Sequence, residues 1–294
     1  MLYYCPKNNL FFFESIIKKM NSVLIKSDIL PQYSINFQLN NQSKMKKAIL
    51  VLLVFAISQS VFAQKQFKVF LFTKTAGWHH ESIHEGVAAF RKMAERHNFD
   101  VDWQENTDFV TEKNLEKYQC IVFLNTTGDV LNDEQQKVVE KFIQSGKGFM
   151  GIHSASDTEY KWEWYTKMVG MMFKIHPAQQ TAYLNVVDSN FPGMERFPKK
   201  FLWTDEWYEF GELKSNDLKY LVTIDEKSYD PKAKWGTNEG KGMGNFHPIS
   251  WYHPYDGGRA FYTALGHIPA TFSDQTFLDH LYGGLYWAAT GKGL

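Results

Sequence analysis

Apolar and amphipathic segments alternate along residues 67–152. Short apolar runs predict strands, and segments whose apolar residues recur every three or four positions predict helices. The predicted order is strand Phe67–Phe72, helix Glu81–His97, strand Phe99–Trp103, helix Thr111–Tyr118, strand Cys120–Leu124, helix Asn132–Ser145 with Asn132 as its N-cap, and strand Phe149–Ile152. Because strands that alternate with helices usually pair in parallel, the pattern predicts an α/β fold with a mainly parallel, doubly wound sheet.

The pattern changes after residue 152. A helical turn is predicted at Tyr165–Val169, and an amphipathic helix at Ser273–Ala289 ends the pattern. The segments between them are predicted to be extended: Thr181–Val187, Leu202–Phe210, Tyr220–Ile224, Ile249–Tyr252 and Arg259–Leu265. No linker, repeat or low-complexity stretch separates the halves. We therefore expect one domain over residues 64–294, with a β-rich C-terminal extension.

Residues 45–63 have the pattern of a secretory signal peptide. Met45 starts a basic segment, an apolar run follows at Ala48–Ile57, and small residues precede a cleavage site after Ala63. The run is too short to cross a bilayer, so no stable membrane anchor is expected. We expect a periplasmic or secreted protein. Residues 1–44 precede the signal's own methionine and are interpreted as an upstream extension from a start codon assigned too early.

Charge and cysteine content narrow the possible partners. Of the 32 basic and 32 acidic residues, seven lysines and two acidic residues precede residue 64, so the remainder is mildly acidic. No basic patch with interleaved aromatic residues occurs, and nucleic acid is not an expected partner. The sequence contains two cysteines, Cys5 and Cys120. Cys120 lies inside an apolar run and is predicted to pack in the core.

The segment Gly148–Asp157 combines a buried strand with a turn of small and polar residues. Gly151 and Ala155 lie two positions on either side of His153, the layout of a nucleophile elbow. Acyl transfer would require serine or cysteine at the centre of that elbow. His153 is therefore interpreted either as an exposed functional side chain or as a histidine that ends a strand with its hydrogen bonds satisfied.

Five histidines are predicted at strand ends or turns. They are His80, His153, His176, His247 and His267. Ligands in open α/β sheets bind at the carboxyl ends of the strands, so the fold could bring these side chains to one rim.

The pattern from His80 to His84 also matches the zinc-protease motif H-E-x-x-H. That interpretation is disfavoured because the motif lies at a helix start and no third ligand follows at a recognisable spacing.

Two further segments carry polar side chains. Asn125–Asp129 could hold a polar ligand or form an ordinary turn, and Asp157 could orient a histidine. In Thr204–Phe210, the carboxylates of Asp205 and Glu206 stand beside aromatic residues. This mixture suits a sugar, whose ring has an apolar face and a hydroxyl edge, although an edge strand with one solvent face is the alternative.

Together these segments resemble the ThuA-like family, named for trehalose utilisation, which has the class I glutamine amidotransferase-like (flavodoxin-like) fold. The matching segments are Gly77–Ile83, Thr126–Leu131, Gly151–Asp157, Phe173–Pro177, Asp205–Tyr208, His247–Trp251 and Gly258–His267, within Phe67–Thr290. In amidotransferase relatives a catalytic cysteine occupies the elbow. Because His153 stands there, the resemblance implies that glutamine hydrolysis by a thiolate is absent.

The resemblance implies a role in trehalose, disaccharide or keto-sugar utilisation. We expect a hydrolase- or lyase-type enzyme that acts on a glycoside or keto-glycoside by histidine and carboxylate acid–base chemistry, with a small-molecule sugar as partner and an oligomer possible. No cofactor is assigned. The candidate catalytic residues are His153 and His80, as acid–base groups or metal ligands, with Asp205, Glu206 and His247. The candidate substrate-binding residues are Ser82, Thr127, Ser154, Asp157, His176, Trp207, Tyr208, Trp251 and His267.

Two alternatives from other classes stay open. A non-catalytic carbohydrate-binding or accessory protein would bind sugar without forming product, because a fold does not fix a function. A metal-dependent hydrolase would lose its activity on chelation.

Overall fold

Strands and helices alternate in the first half of the computed structural model, which describes residues 64–293. The elements are β1 (Lys68–Phe72), α1 (Ile83–His97), β2 (Asp100–Gln104), α2 (Glu112–Leu115), β3 (Cys120–Leu124), α3 (Asp133–Gln144) and β4 (Gly148–Ile152). The predicted upstream extension and signal peptide lie outside the described residues. Among residues 64–293, no helix combines the length and apolarity that a bilayer span requires.

The second half is rich in strands. Its elements are α4 (Glu163–Val169), β5 (Phe173–Ile175), β6 (Gln180–Val186), β7 (Lys200–Asp205), β8 (Glu209–Phe210), β9 (Lys219–Ile224), β10 (Ala233–Trp235), β11 (Asn238–Gly240), β12 (His247–Tyr255), β13 (Gly258–Thr263) and α5 (Gln275–Thr290). The predicted extended segment Leu202–Phe210 is two strands, because the chain leaves the sheet after Asp205 and pairs again only at Glu209.

Strands from both halves join one nine-stranded sheet with the order β2-β1-β3-β4-β13-β12-β9-β6-β7. The strands from β2 to β13 are parallel neighbours. Those from β13 to β7 pair antiparallel. A mixed α/β fold with a large parallel section is thus confirmed. The flavodoxin-like description holds only in part, because β13 supplies the fifth parallel strand and the antiparallel strands extend the same sheet.

The apolar runs of the sequence form the centre of this sheet. Every residue of β3 and β4 is buried, including Cys120, as expected for parallel strands covered on both faces. Helices α1 and α5 contact each other, and so do α2 and α3. The predicted N-cap is confirmed: the Asn132 side chain accepts a hydrogen bond from the Gln135 backbone N–H, and the Gln135 side chain reciprocates.

The antiparallel half curls over the carboxyl edge of the parallel half. In a flat sheet, β7 would lie four strand spacings from β13, or about 19 Å away. However, the Asp205 carboxylate at the end of β7 accepts hydrogen bonds from the backbone N–H groups of Gly266 at 3.0 Å and His267 at 3.1 Å. This curvature brings residues after β7 to the ends of β4 and β13.

A buried histidine in α5 makes the stability of the fold sensitive to acid. His280 is fully buried, with Nε2 3.1 Å from the Ser250 hydroxyl, and burial lowers its pKa from the ordinary 6.5 to about 3. Protonation therefore favours the unfolded chain, and the stabilisation is present above pH 6.5 and lost as the pH falls towards 3.

We expect the wild type to lose about 2 kcal/mol more unfolding free energy between pH 7 and pH 5 than a His280→Gln variant, which cannot titrate at this position. Urea unfolding at the two pH values measures the difference. Equal losses in the two proteins would contradict the expectation.

Candidate active site

Four polar side chains from distant parts of the chain meet at the carboxyl edge of the parallel strands. His80 lies between β1 and α1, His153 directly follows β4, and His267 lies shortly after β13. Glu206 directly follows β7. One nitrogen or oxygen atom of each side chain lies within 4.8 Å of the others. We call His80, His153, Glu206 and His267 the histidine–glutamate cluster.

The turn after β4 has the tight geometry of an elbow. His153 adopts a φ of 50°, a left-handed conformation that is strained for a residue with a Cβ atom. A Cβ atom on Gly151 would lie 3.2 Å from the Cβ of Ala155. Small residues at both positions therefore allow the chain to turn directly into the short 3₁₀ helix His153–Asp157.

The hydrogen bonds of His153 leave one ring nitrogen for the cluster. Its Nδ1 donates to the Ala264 carbonyl oxygen at 2.8 Å, because a carbonyl can only accept. In the neutral ring, Nε2 then carries the lone pair and accepts from the Tyr208 hydroxyl at 2.7 Å. The same Nε2 atom lies 3.3 Å from Nδ1 of His267.

Glu206 is the acidic centre of the group. Its Oε2 atom lies 3.5 Å from Nε2 of His153 and 3.2 Å from Nδ1 of His267. Its other oxygen lies 3.2 Å from Nε2 of His176. Burial by itself raises the pKa of Glu206, but the hydrogen bonds and positive character of the surrounding imidazoles hold it well below the usual range.

The histidines differ in their protonation. Burial, followed by repulsion from His153 and His267, lowers the pKa of His80 to about 2. Burial also lowers the pKa of His176, despite the nearby carboxylate. For His267 burial acts in the same direction, but the hydrogen bond and charge of Glu206 exceed it and raise the pKa overall. His80 and His176 are therefore favoured in their neutral form, beside the anionic carboxylate of Glu206.

Asp205, a predicted catalytic residue, faces the backbone instead of the cluster. Its fully buried carboxylate accepts hydrogen bonds from the N–H groups of Glu206, Gly266 and His267. These bonds fix the two chain segments that carry Glu206 and His267. Asp205 is thus a positioning residue.

The predicted hydroxyl residues support the loops around the cluster. The Ser82 hydroxyl donates to the Gly266 carbonyl at 2.9 Å, and that of Thr127 donates to the Trp78 carbonyl at 2.8 Å. The Ser154 hydroxyl lies 3.3 Å from Nδ1 of His80 and contacts the cluster directly. The Asp157 carboxylate accepts a hydrogen bond from the Tyr160 hydroxyl at 2.7 Å.

Three other predicted residues do not join the cluster. His247 is buried between the Glu226 carboxylate and the Tyr208 carbonyl, 2.7 and 2.8 Å from its ring nitrogens. Trp251 is fully buried, and its indole donates to the Val169 carbonyl. Trp207 is also in the core, with 1% of its surface exposed. The expectation that Trp207 and Trp251 bind substrate is therefore corrected, because neither side chain faces solvent.

The exposed aromatic residues near the site lie elsewhere. Trp235, on the hairpin of β10 and β11, is 45% exposed, and its ring centroid lies 4.5 Å from that of His176. The ring centroid of Phe173 lies 6.0 Å from that of Trp235 and 4.3 Å from that of Tyr208. Trp235 is not among the residues that the sequence predicts for the site, although it precedes Gly236 in a polar segment. We call Phe173, His176 and Trp235 the aromatic rim.

The zinc-protease pattern is not assembled in the described residues. Helix α1 begins at Ile83, so His80 precedes the helix while His84 lies within it. His84 is exposed, and its ring is 6.4 Å from that of His79. The two histidines of the pattern therefore do not share one helix, as a zinc-protease motif requires.

Comparisons with known proteins identify the family. The family model described as "ThuA: Trehalose utilisation" matches residues 68–288. A ThuA-like protein of Bacteroides uniformis ATCC 8492 has a similar structure, with 19% identity and a TM-score of 0.63 over 79% of this chain and 96% of that chain. A ThuA-like protein of Parabacteroides merdae ATCC 43184 has 22% identity and a TM-score of 0.60 over 78% of this chain and 92% of that chain.

These two likenesses are below 25% identity and concern the fold. No curated protein sequence matches the chain significantly. The family match covers strands β1 to β13 and most of α5, including every residue of the histidine–glutamate cluster. The chain belongs to the ThuA family of trehalose utilisation.

Proposed function

We propose that the protein is an exported enzyme of sugar utilisation that acts on a glycoside or keto-glycoside at the histidine–glutamate cluster. Three imidazoles and one carboxylate meet beside the aromatic rim, and this arrangement supports acid–base chemistry on a sugar. His176 and His267 keep 22% and 27% of their side chains exposed, so a ligand can approach the otherwise buried cluster from their side. The family description supports a sugar as that ligand.

The aromatic rim suits the apolar face of a sugar ring. Trp235 offers a large exposed ring that stands perpendicular to His176, with an interplanar angle of 88°. An indole contributes contact area on one side and a polar N–H at its edge. A sugar placed against Trp235 would have hydroxyl or carbonyl oxygens directed towards the cluster.

A keto-glycoside is the substrate best suited to this group of side chains, because its cleavage requires only proton transfer. A carbonyl at C3 acidifies the proton on C2, and a base removes that proton. The electron pair forms the C1–C2 double bond as the C1–O bond breaks, and a proton passes to the departing oxygen. We assign the proton transfer to His176, because its Nε2 lies 3.2 Å from Glu206 and its side chain is accessible at the rim.

A substrate panel tests the proposal. The purified protein is incubated with disaccharides, including trehalose, and with their 3-keto derivatives, and released monosaccharide or unsaturated keto-sugar is measured. We expect turnover of the keto-disaccharides to exceed that of the parent sugars, because only the keto form has an acidic C2 proton.

The same panel separates an enzyme from a binding protein. Product formed from parent and keto sugars at equal rates would overturn the elimination chemistry and leave a glycoside-cleaving enzyme. No product, together with a sugar-dependent rise in melting temperature, would overturn catalysis in favour of a carbohydrate-binding protein.

A further inference from the structure

We propose that the histidine–glutamate cluster binds one divalent transition-metal ion, with His80, His153, Glu206 and His267 as its protein ligands. Imidazole nitrogens and carboxylate oxygens are ordinary ligands of zinc and of other first-row transition metals. The four candidate ligand atoms already lie within 4.8 Å of one another. This ligand set shares only His80 with the H-E-x-x-H pattern of the sequence.

Three of the ligand atoms have the spacing of a coordination sphere. Nε2 of His153, Nδ1 of His267 and Oε2 of Glu206 are separated by 3.3, 3.2 and 3.5 Å. Two ligands at about 2.05 Å from a tetrahedral zinc ion are separated by about 3.3 Å. An ion near the centre of this triangle would therefore reach all three atoms without a large movement of the backbone.

The surrounding hydrogen bonds fix the orientation of the proposed ligands, as second-sphere hydrogen bonds do in known metal sites. The donation from Nδ1 of His153 to the Ala264 carbonyl leaves Nε2 free to coordinate, an arrangement common for metal-bound histidines. Asp205 fixes the backbone of both Glu206 and His267. The Tyr208 hydroxyl would give up its hydrogen bond to Nε2 of His153 on metal binding, so the ion must compensate for that loss.

The charge of the site also favours a cation. Glu206 is mostly buried, and among residues 64–293 each of its ion-pair partners is a histidine, not a lysine or arginine. Imidazoles packed side by side repel one another when protonated. A divalent ion would compensate the carboxylate and bind the imidazoles in their neutral form. In the proposed reaction, which is a separate hypothesis, such an ion would stabilise negative charge on a carbonyl oxygen.

Metal binding can be measured without any sugar. The purified protein is stripped with a chelator, titrated with Zn²⁺ by calorimetry, and analysed for bound zinc after removal of free metal. We expect about one Zn²⁺ per chain, with affinity lowered at least roughly 100-fold in Glu206→Gln and in His267→Ala. His267→Ala is the safer variant for folding, because this side chain is partly exposed, and circular dichroism verifies both variants.

His84→Ala is the matched control, because His84 is exposed and belongs to the H-E-x-x-H pattern but not to the cluster. It is expected to bind Zn²⁺ as the wild type does. The proposal is overturned if the wild type retains no zinc, if the two cluster variants keep wild-type affinity, or if His84→Ala loses as much affinity as they do. Since no substrate is involved, metal binding and sugar chemistry can fail independently.

Discussion

Replacing Glu206 by glutamine is expected to lower kcat/KM for a 3-keto-disaccharide by about 1,000-fold or more. Glutamine keeps the size of the side chain and one oxygen, but it removes the negative charge. That charge contacts three imidazoles, those of His153, His176 and His267, at 3.2 to 3.5 Å. Loss of this charge would disturb the proton transfer at His176. In the metal-bound protein, it would also remove the carboxylate ligand of the ion. Steady-state kinetics on the purified variant measure the effect.

A charge-matched control separates this effect from a general change in charge. Glu85 is exposed on α1 and is not a member of the cluster, so Glu85→Gln is expected to keep wild-type kinetics. If Glu206→Gln loses no more activity than Glu85→Gln, the cluster is not the centre of the reaction. Unchanged melting temperatures would show that both proteins are folded.

The second large effect is expected on stability. Asp205→Ala should lower the free energy of unfolding by about 4 kcal/mol, because three backbone N–H groups would lose their acceptor in the interior. These bonds also join the end of β7 to the segment after β13. Urea unfolding near neutral pH measures the change.

Asp205→Asn provides a graded comparison. Asparagine keeps one acceptor oxygen and the size of the side chain, so its loss of stability should lie between those of the wild type and Asp205→Ala. A loss below about 1 kcal/mol for Asp205→Ala would show that the segment after β13 is held by other contacts, such as the hydrogen bond from Ser82 to Gly266.

The sequence was most informative where local pattern and burial agree. Strand β3 occupies the predicted residues Cys120–Leu124, and α3 begins after its predicted cap at Asn132. Parallel strands are buried on both faces, so their apolar runs need no tertiary information to be recognised. The elbow at His153 could also be predicted from local sequence, because the tight turn itself requires small residues at Gly151 and Ala155.

The environment of each aromatic residue was not visible in the sequence. Trp251 and Trp207 stand in polar segments yet lie in the core, whereas Trp235 lies exposed at the rim. An indole suits both situations, because it has a large apolar surface and a single polar group. The exposure of an indole depends on which helices and strands pack over it, and those elements come from distant parts of the chain.

Local sequence is enough to predict the alternating strands and helices, the histidine at the elbow and the positions of His80, His153 and His267 after strands. Parallel strands carry their carboxyl ends to one edge, so local order suffices to align such residues. In contrast, the selection of Glu206 as the carboxylate of the cluster, and of Asp205 as an acceptor for backbone N–H groups, depends on the folded chain. These neighbours in sequence take different roles because the antiparallel strands curl, and that curvature depends on contacts between residues far apart in the chain.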